Sequence, residues 1–542
     1  MPAVVAARVL VTALAGCVLA LLDAPRAAAQ CTTGYMLTGT TQFGQAIAVS
    51  GDLLLVGDPV LNFGGTAVVL RRASWGWKTE FSLFSPMAEP NGRFGEAVAI
   101  SGEWAAVGAP GELGGAGAVH LFHRECGPPG ACTWEWVARL TPQEAAPNDR
   151  FGAALALDGT RLVVAAPASD LASPEAGALF VFEEAGGAGG AGGTGGTWTQ
   201  IQTLTAGASA PPYAGVGSCV ALAGTVAVAG SKSANLAWLF ELDEAAAGGA
   251  GGAGGGESAL FGPAQVLSNP DAGQFGAAVA TDGVRVLIGA PGSSVTAIKS
   301  GAAYLFAPPP GGSGTGEWTQ SALLAPVGYT LFASFGTSVA LDGKTAAIGA
   351  TGQNAGVGAL HVFHDEGAGA TWPLFTTFDT LPGPAFSGLG VTAALDDDTL
   401  AVGAHILFGP PGVVYVFGGV AAWTELGGGL AGSAGMPALA VGGSLCGGEA
   451  LTFTISHGKP KAAALVIIGL AATPQPWKGG VLWPAPDIVV PALLGAAGGA
   501  TLTLGVPIGQ PAGQPVVAQG WIADAGAPAG VSATPALTAK TP

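Results

Sequence analysis

Basic residues are scarce in this sequence: 18 lysines and arginines stand against 35 aspartates and glutamates, a formal charge of −17. A chain so charged repels polyanions, which argues against nucleic acid and anionic lipid as partners. Charged residues of both signs make up only 10% of the chain, so the acidity is diffuse and solubility alone accounts for it. Long apolar runs are also lacking. The stretch Val9 to Leu22 has fourteen residues and Ala462 to Ala472 eleven, both too short for a stable membrane span. Histidine and cysteine number six each, too few and too scattered for an evident metal centre. HExxH is absent, "AGSAG" around Ser433 lacks the first glycine of a nucleophile elbow, and Cys126-x5-Cys132 is not a CxxC motif. No cofactor is expected.

What the chain has in abundance is glycine, 92 residues, with 39 prolines and 49% hydrophobic residues. That is a turn-rich globular composition, because the apolar residues recur with strand periodicity. The first 29 residues carry Arg8, the apolar run, Asp23 and Pro25, then Ala27 to Ala29, the layout of a secretory signal peptide. The alternative is a lipoprotein anchor, since Leu14-Ala15-Gly16-Cys17 resembles a lipobox; the apolar run continuing past Cys17 favours ordinary cleavage. A secreted or cell-surface chain permits disulfides, and Cys126 and Cys132 bracket a Gly-Pro-Pro-Gly turn where they can face each other across a hairpin mouth. Cys219 reads as a buried free thiol; Cys31 and Cys446 have no assigned partner.

One pattern returns seven times. Phe-Gly, an apolar strand, a tight turn, a second apolar strand and Gly-Ala open at 43, 94, 151, 275 and 335, with Val216-Gly217 and Leu389-Gly390 as degenerate copies. The turns read Ser50-Gly51, Ser101-Gly102, Asp158-Gly159, Ala223-Gly224, Asp282-Gly283 and Asp342-Gly343, two-residue hairpins in which glycine supplies a positive φ. The seventh unit departs, with Asp396-Asp397-Asp398. A third strand follows, from "AVVLRR" to "VVYVFG", and a fourth begins at Trp75, Trp134, Trp198, Trp318, Trp372 and Trp423. Four strands repeated seven times predict an all-β chain: a seven-bladed β-propeller over residues 30–426, followed by a small C-terminal β-sandwich over 427–542 with about six strands. The glycine tracts near 185–196 and 246–255 read as flexible tips of the loops between strands three and four.

The paired Phe-Gly and Gly-Ala-Pro motifs resemble the FG-GAP repeat of integrin α-subunit heads and of many secreted bacterial proteins. The resemblance implies a propeller used for adhesion or binding. The family's calcium loop, DxDxDG between the first two strands, is shrunk here to a glycine turn with too few oxygen ligands, so no metal site is carried over. Asp396 to Asp398 read either as a weak cation site or as a solvated turn. The tail "AQGWIADAGAPAGVSATPAL" resembles the sandwich modules that end many large secreted bacterial proteins.

For function, the chain reads as a non-catalytic secreted or surface scaffold that binds an extracellular protein or glycan. The alternative is a propeller-based carbohydrate-active enzyme, a lyase or hydrolase, with its site assembled from distant blades. The histidines of "HLFH" (His120, His123) and "HVFH" (His361, His364) point to opposite faces of their strands, so neither pair chelates a metal and both read as packing. The rim formed by loops between strands two and three and between successive units is richer in polar groups than the opposite rim. Its candidate ligand contacts are Asn62, Glu112, Asp170, Lys299 and Gln353.

Overall fold

The computed structural model describes the chain from residue 35 onward, except 41, 61–63, 74–75, 128–130, 186–195, 244–259, 310–315, 327, 329–330, 366–370, 380–387, 398, 405–411, 419–422, 443–444, 446–449, 507–513, 528 and 542. The segment expected to be a signal peptide, Cys17, Cys31, Asn62, Trp75, Asp398 and Cys446 lie outside the described residues, as do residues 186–195 and 244–259 of the glycine tracts. The described residues divide into two compact units, one over Tyr35–Ala422 and one from Trp423 onward.

Among the described residues of Tyr35–Ala422, seven four-stranded antiparallel sheets follow one another. In the second, Ala97–Ser101 pairs with Trp104–Ala109, then Ala118–Gly127, then Ala131–Leu140. The innermost strand of each sheet packs on that of the next, and Leu389–Asp396 of the seventh packs on Ile47–Ser50 of the first. This is the arrangement of a β-propeller, whose core lies between sheets: Phe94, Val98, Ile100 and Trp134 of the second pack with Leu53, Leu55 and Val69 of the first.

The repeated glycines have a geometric cause. Gly108, in the Gly-Ala of the second sheet, lies so close to Gly152 of the third that a Cβ on it would sit 2.0 Å from the Gly152 carbonyl oxygen. The same approach joins Gly57 to Gly95, Gly230 to Gly276, Gly289 to Gly336, Gly349 to Gly390 and, across the closure, Gly403 to Gly44. The partner glycine of each Phe-Gly pair is also left-handed, as Gly95 is at φ 94. Two residues further along, Ser338 Oγ donates to the Gly390 carbonyl at 2.7 Å and Thr392 Oγ1 to that of Gly44 at 2.8 Å. Cys219 takes this role in the fourth sheet: its Sγ donates to the Gly276 carbonyl at 3.3 Å, and burial of the thiol pushes it up to about 12.

Hairpin turns form a second set of latches. Gly102 N donates to Ser50 Oγ, Gly159 N to Ser101 Oγ, Gly224 N to Asp158 Oδ2, Asp397 N to Asp342 Oδ2 and Gly51 N to Asp396 Oδ2. The Asp396 carboxylate therefore ties the seventh sheet to the first. The turn chemistry differs from expectation in two places. The seventh turn keeps two residues, with Asp397 at φ 52 where glycine stands elsewhere. The fifth holds four residues between Thr281 and Val286, because the Asp282 side chain caps Val284 N and Arg285 N.

Two tryptophan assignments are corrected. In the first sheet the buried indole of the fourth strand is Trp77, 6% exposed, within Gly76–Leu83. Trp423 does not open the seventh sheet's fourth strand; that strand is Tyr35–Thr38, paired with Val413–Phe417. A strand from the start of the described residues thus supplies the outer strand of the last sheet and covers the edge of Val413–Phe417. Trp423 packs instead against Phe453 in the C-terminal unit.

The C-terminal unit has more strands than expected, eleven among its described residues. Thr424–Gly427, Ala536–Lys540, Pro515–Ala523, Ala463–Gly469 and Ile488–Leu493 pair in that order, with Val531–Ala533 joining Pro515–Ala523. Ala438–Gly442, Ala450–Ser456 and Ala500–Gly505 form a second sheet, and Ala472–Trp477 with Gly480–Pro484 a hairpin. Alternation of Leu451, Phe453 and Ile455 with exposed or half-exposed neighbours places one face of the second sheet against Val466, Ala518 and Ile522 of the first. Asp524, buried, binds Ser433 N and Oγ, Gly526 N and Lys459 Nζ. Despite its burial these donors hold its carboxyl down at about 2.

The glycine contacts separate two kinds of substitution. Gly102→Ala, which meets open space and only a left-handed backbone, should cost about 1 kcal/mol. Gly108→Ala forces a backbone collision between sheets and should cost about 3 kcal/mol or more. Denaturant midpoints of the two variants check this, and equal losses would remove the contact's special standing.

Candidate binding rim

The loops between strands two and three share a rim with the loops that link successive sheets, and backbone hydrogen bonds fix one set to the other. Tyr213 N donates to Pro174 O at 2.8 Å, Gly215 N to Glu175 O at 3.0 Å and Val216 N to Ala176 O at 2.8 Å. The same three rungs recur as Phe332 to Ile298, Ser334 to Lys299 and Phe335 to Ser300. The rim is therefore a built surface, with loops anchored at both ends and along their length.

The five sequence candidates fall into different environments. Asn62 lies outside the described residues. Glu112 is fully buried and cannot contact a ligand, which corrects its assignment. Its carboxylate accepts from Ser85 Oγ at 2.8 Å and from His120 Nε2 at 3.0 and 3.1 Å, with Arg139 3.9 Å away as a counter-charge. Trp136 Nε1 donates to His120 Nδ1, which leaves Nε2 as the donor to Glu112. The cluster contains serine, histidine and glutamate, but His120 and Glu112 have no exposed surface, so it is a satisfied buried network with no path for a substrate.

Gln353 repeats this arrangement in the sixth sheet. Its Oε1 meets His361 Nε2 at 2.8 Å while Thr377 Oγ1 lies 3.1 Å from His361 Nδ1. Glutamate or glutamine eight residues before the strand-three histidine is a spacing visible in the sequence, and it was the signal that these two residues face inward. His120 packs edge-on against Phe94, as Phe180 does against Phe151, and His361 packs tilted against Phe335, as Tyr304 does against Phe275.

Asp170 and Lys299 are exposed, and in equivalent loops Asp170 matches Ser294 while Lys299 matches Glu175. Asp170 Oδ1 accepts from Glu175 N at 2.7 Å, and Ser294 Oγ accepts from Lys299 N at 3.0 Å. Each bond closes a six-residue turn whose last residue is left-handed, Glu175 at φ 47 and Lys299 at φ 48. Asp170 and Lys299 stand on loops of separate sheets, the third and the fifth.

Sequence reasoning overlooked the apolar groups here. Tyr213 and Phe332 are 66% and 55% exposed, and both have left-handed backbones, at φ 62 and 56, a conformation that bulky residues rarely adopt. Leu171, Val295, Ile298 and Leu331 are exposed on the same loops. Between the second and third sheets, Arg150 Nη2 lies 3.1 Å from Glu96 Oε1, and Arg93 Nε binds the other oxygen. Burial raises the Glu96 carboxyl above the usual range, opposed by these two guanidiniums. No group of histidine, cysteine and carboxylates able to hold a metal occurs among the described residues. Cys126 and Cys132 face each other across the hairpin of the second sheet and form a disulfide.

Burial lowers His361 from 6.5 to about 4. The neutral imidazole is therefore favoured by folding: its contribution is whole above pH 6.5 and is lost as pH falls toward 4, by about 3 kcal/mol. His361→Phe, the residue type that the third sheet uses at Phe180, should flatten the fall in unfolding free energy over that window. Chemical denaturation at pH 7 and pH 4 measures the difference, and an unchanged slope would contradict it.

Solved structures with similar chain paths include a putative 6-phosphogluconolactonase from Bacteroides uniformis, 12% identical, covering 62% of this chain and 94% of that one with a TM-score of 0.39. Sqt1 of Saccharomyces cerevisiae is 10% identical over 72% of this chain and 99% of that one, with a TM-score of 0.38. A second putative 6-phosphogluconolactonase, from Bacteroides fragilis, is 14% identical over 68% and 90%, with a TM-score of 0.39. No curated protein matches the chain. Residues 77–122, 134–182 and 318–363 match the FG-GAP repeat, and their boundaries fall on the buried Trp77, Trp134 and Trp318 and on the third strands of the second, third and sixth sheets; this chain carries FG-GAP repeats on a β-propeller fold.

Proposed function

We propose that the chain is a non-catalytic binding scaffold, secreted or held at the cell surface, that engages an extracellular protein through the rim of the two-to-three and inter-sheet loops. The observation that carries this reading is the placement of exposed apolar side chains. Phe84, Met87, Leu171, Tyr213, Val295, Ile298 and Phe332 all stand on that rim, where loops pinned by backbone hydrogen bonds hold them against water at a hydration cost that a partner would relieve. The strained backbones of Tyr213 and Phe332 support the same reading, since such conformations persist where a scaffold enforces them. The apolar character favours a protein over a glycan. The disulfide supports an oxidising compartment, and no helix among the described residues is long and apolar enough to cross a membrane.

The buried Ser85–Glu112–His120 cluster lends no support to the enzyme alternative, because a substrate cannot reach it. The test is adhesion of the purified chain to surfaces coated with extracellular proteins, beside a glycan array. Binding to a protein surface should fall at least tenfold in Tyr213→Ser with Phe332→Ser, with the melting temperature kept. Binding that survives this double change, or that appears on the glycan array alone, would contradict the reading.

A further inference from the structure

The C-terminal unit contains a cavity of about 250 Å³ that the rim reading does not use. Leu451 and Phe453 of one sheet, Ile468 and Val516 of the other, and Leu504 and Val506 line it. Leu451, Phe453, Ile468 and Val516 are core residues at 7% exposure or less, so the cavity continues the core outward between the two sheets. At its opening stand Leu470 and Ile488, 42% and 47% exposed, with the exposed Asp487 between them. Apolar side chains thus run without interruption from the floor of the cavity to the solvent.

We propose that this cavity binds the alkyl chain of a small amphiphile whose head group is neutral or cationic. Three observations lead there. An apolar cavity of this size is unfavourable to leave empty and unfavourable to fill with water, because its lining offers water almost no partners; cavities of similar lining take up apolar molecules instead. The opening is preorganised, since Leu470 N donates to Asp487 Oδ2 at 2.8 Å and Leu470 O accepts from Gln514 Nε2 at 2.7 Å. Both backbone groups of Leu470 are thereby satisfied while its side chain stays at the mouth, exposed. The carboxylate of Asp487 at that mouth repels an anionic head and accepts hydrogen bonds from a hydroxyl or ammonium.

The test is independent of the rim: calorimetric titration of the full secreted chain with decylammonium, 1-decanol and decanoate, each below its micelle concentration. The first two should bind one to one, and decanoate at least tenfold more weakly. Leu504→Trp, at a half-buried lining position, should abolish binding while the melting temperature stays unchanged. Asp487→Asn, which keeps an acceptor for Leu470 N, should bring decanoate to within threefold of decanol. No saturable binding by the unaltered chain would overturn the proposal, as it would if the chain's own residues fill the space. Binding that both variants leave untouched would overturn it equally, by placing the ligand elsewhere.

Discussion

The close approach of one backbone to another between neighbouring sheets is the constraint on which the rest of this structure depends. Where Gly108 meets Gly152, or Gly349 meets Gly390, there is no room for a side chain on the first and no comfortable backbone for one on the second. The Phe-Gly and Gly-Ala motifs are two halves of one contact, made by different sheets. Phenylalanine belongs to the same joint: Phe151 N donates across to Ala116 O, while its ring fills the space beside Phe180 and Phe182. The third sheet shows how the rule bends. It has Ala165 in place of the first glycine, and there the space beyond Gly217 is taken by the alanine methyl and by Leu179.

From that joint the two rims acquire different characters. On one side, short turns latch to each other through serine hydroxyls and aspartate carboxylates, so these polar groups are spent on neighbouring backbone. Asp342, whose carboxyl burial pushes up in the company of Asp396, Asp397 and Asp282, belongs to this side. On the other, longer loops are tied down by their own main chain. Their side chains remain available, and the apolar ones stand in water.

Much of this was legible in the sequence because the signals are local and repeated. The phased Phe-Gly pairs, the turn glycines at 51, 102, 159, 224 and 343, and the third strands all say the same thing several times over. What was not legible depends on pairing between distant residues. Nothing local in Tyr35–Thr38 announces that it completes a sheet with Val413–Phe417, and Trp423 has the right residue type and spacing for a role that the N-terminal strand takes. "WGW" offers two indoles, and only strand register places Trp77 in the core. Glu112 read as a rim ligand because charge on a loop usually faces water; its partners Ser85, His120 and Arg139 come from three other segments, and the eight-residue spacing repeated at Gln353 was the one clue. The C-terminal cavity had no sequence signal, since its lining is ordinary core residues from two sheets that part at one end.

Hydrogen exchange of the amides that cross between sheets tests the central claim most directly, at Phe94, Phe151, Val216, Phe335 and Leu389. If these close joints, glycine-to-glycine except where Ala165 meets Gly217, lock all sheets into one closed ring, these amides exchange only when the whole propeller opens, at one common rate and with one denaturant dependence. An amide at one joint that exchanges orders of magnitude faster than the others would show sheets opening singly, and would contradict a ring held together at every joint.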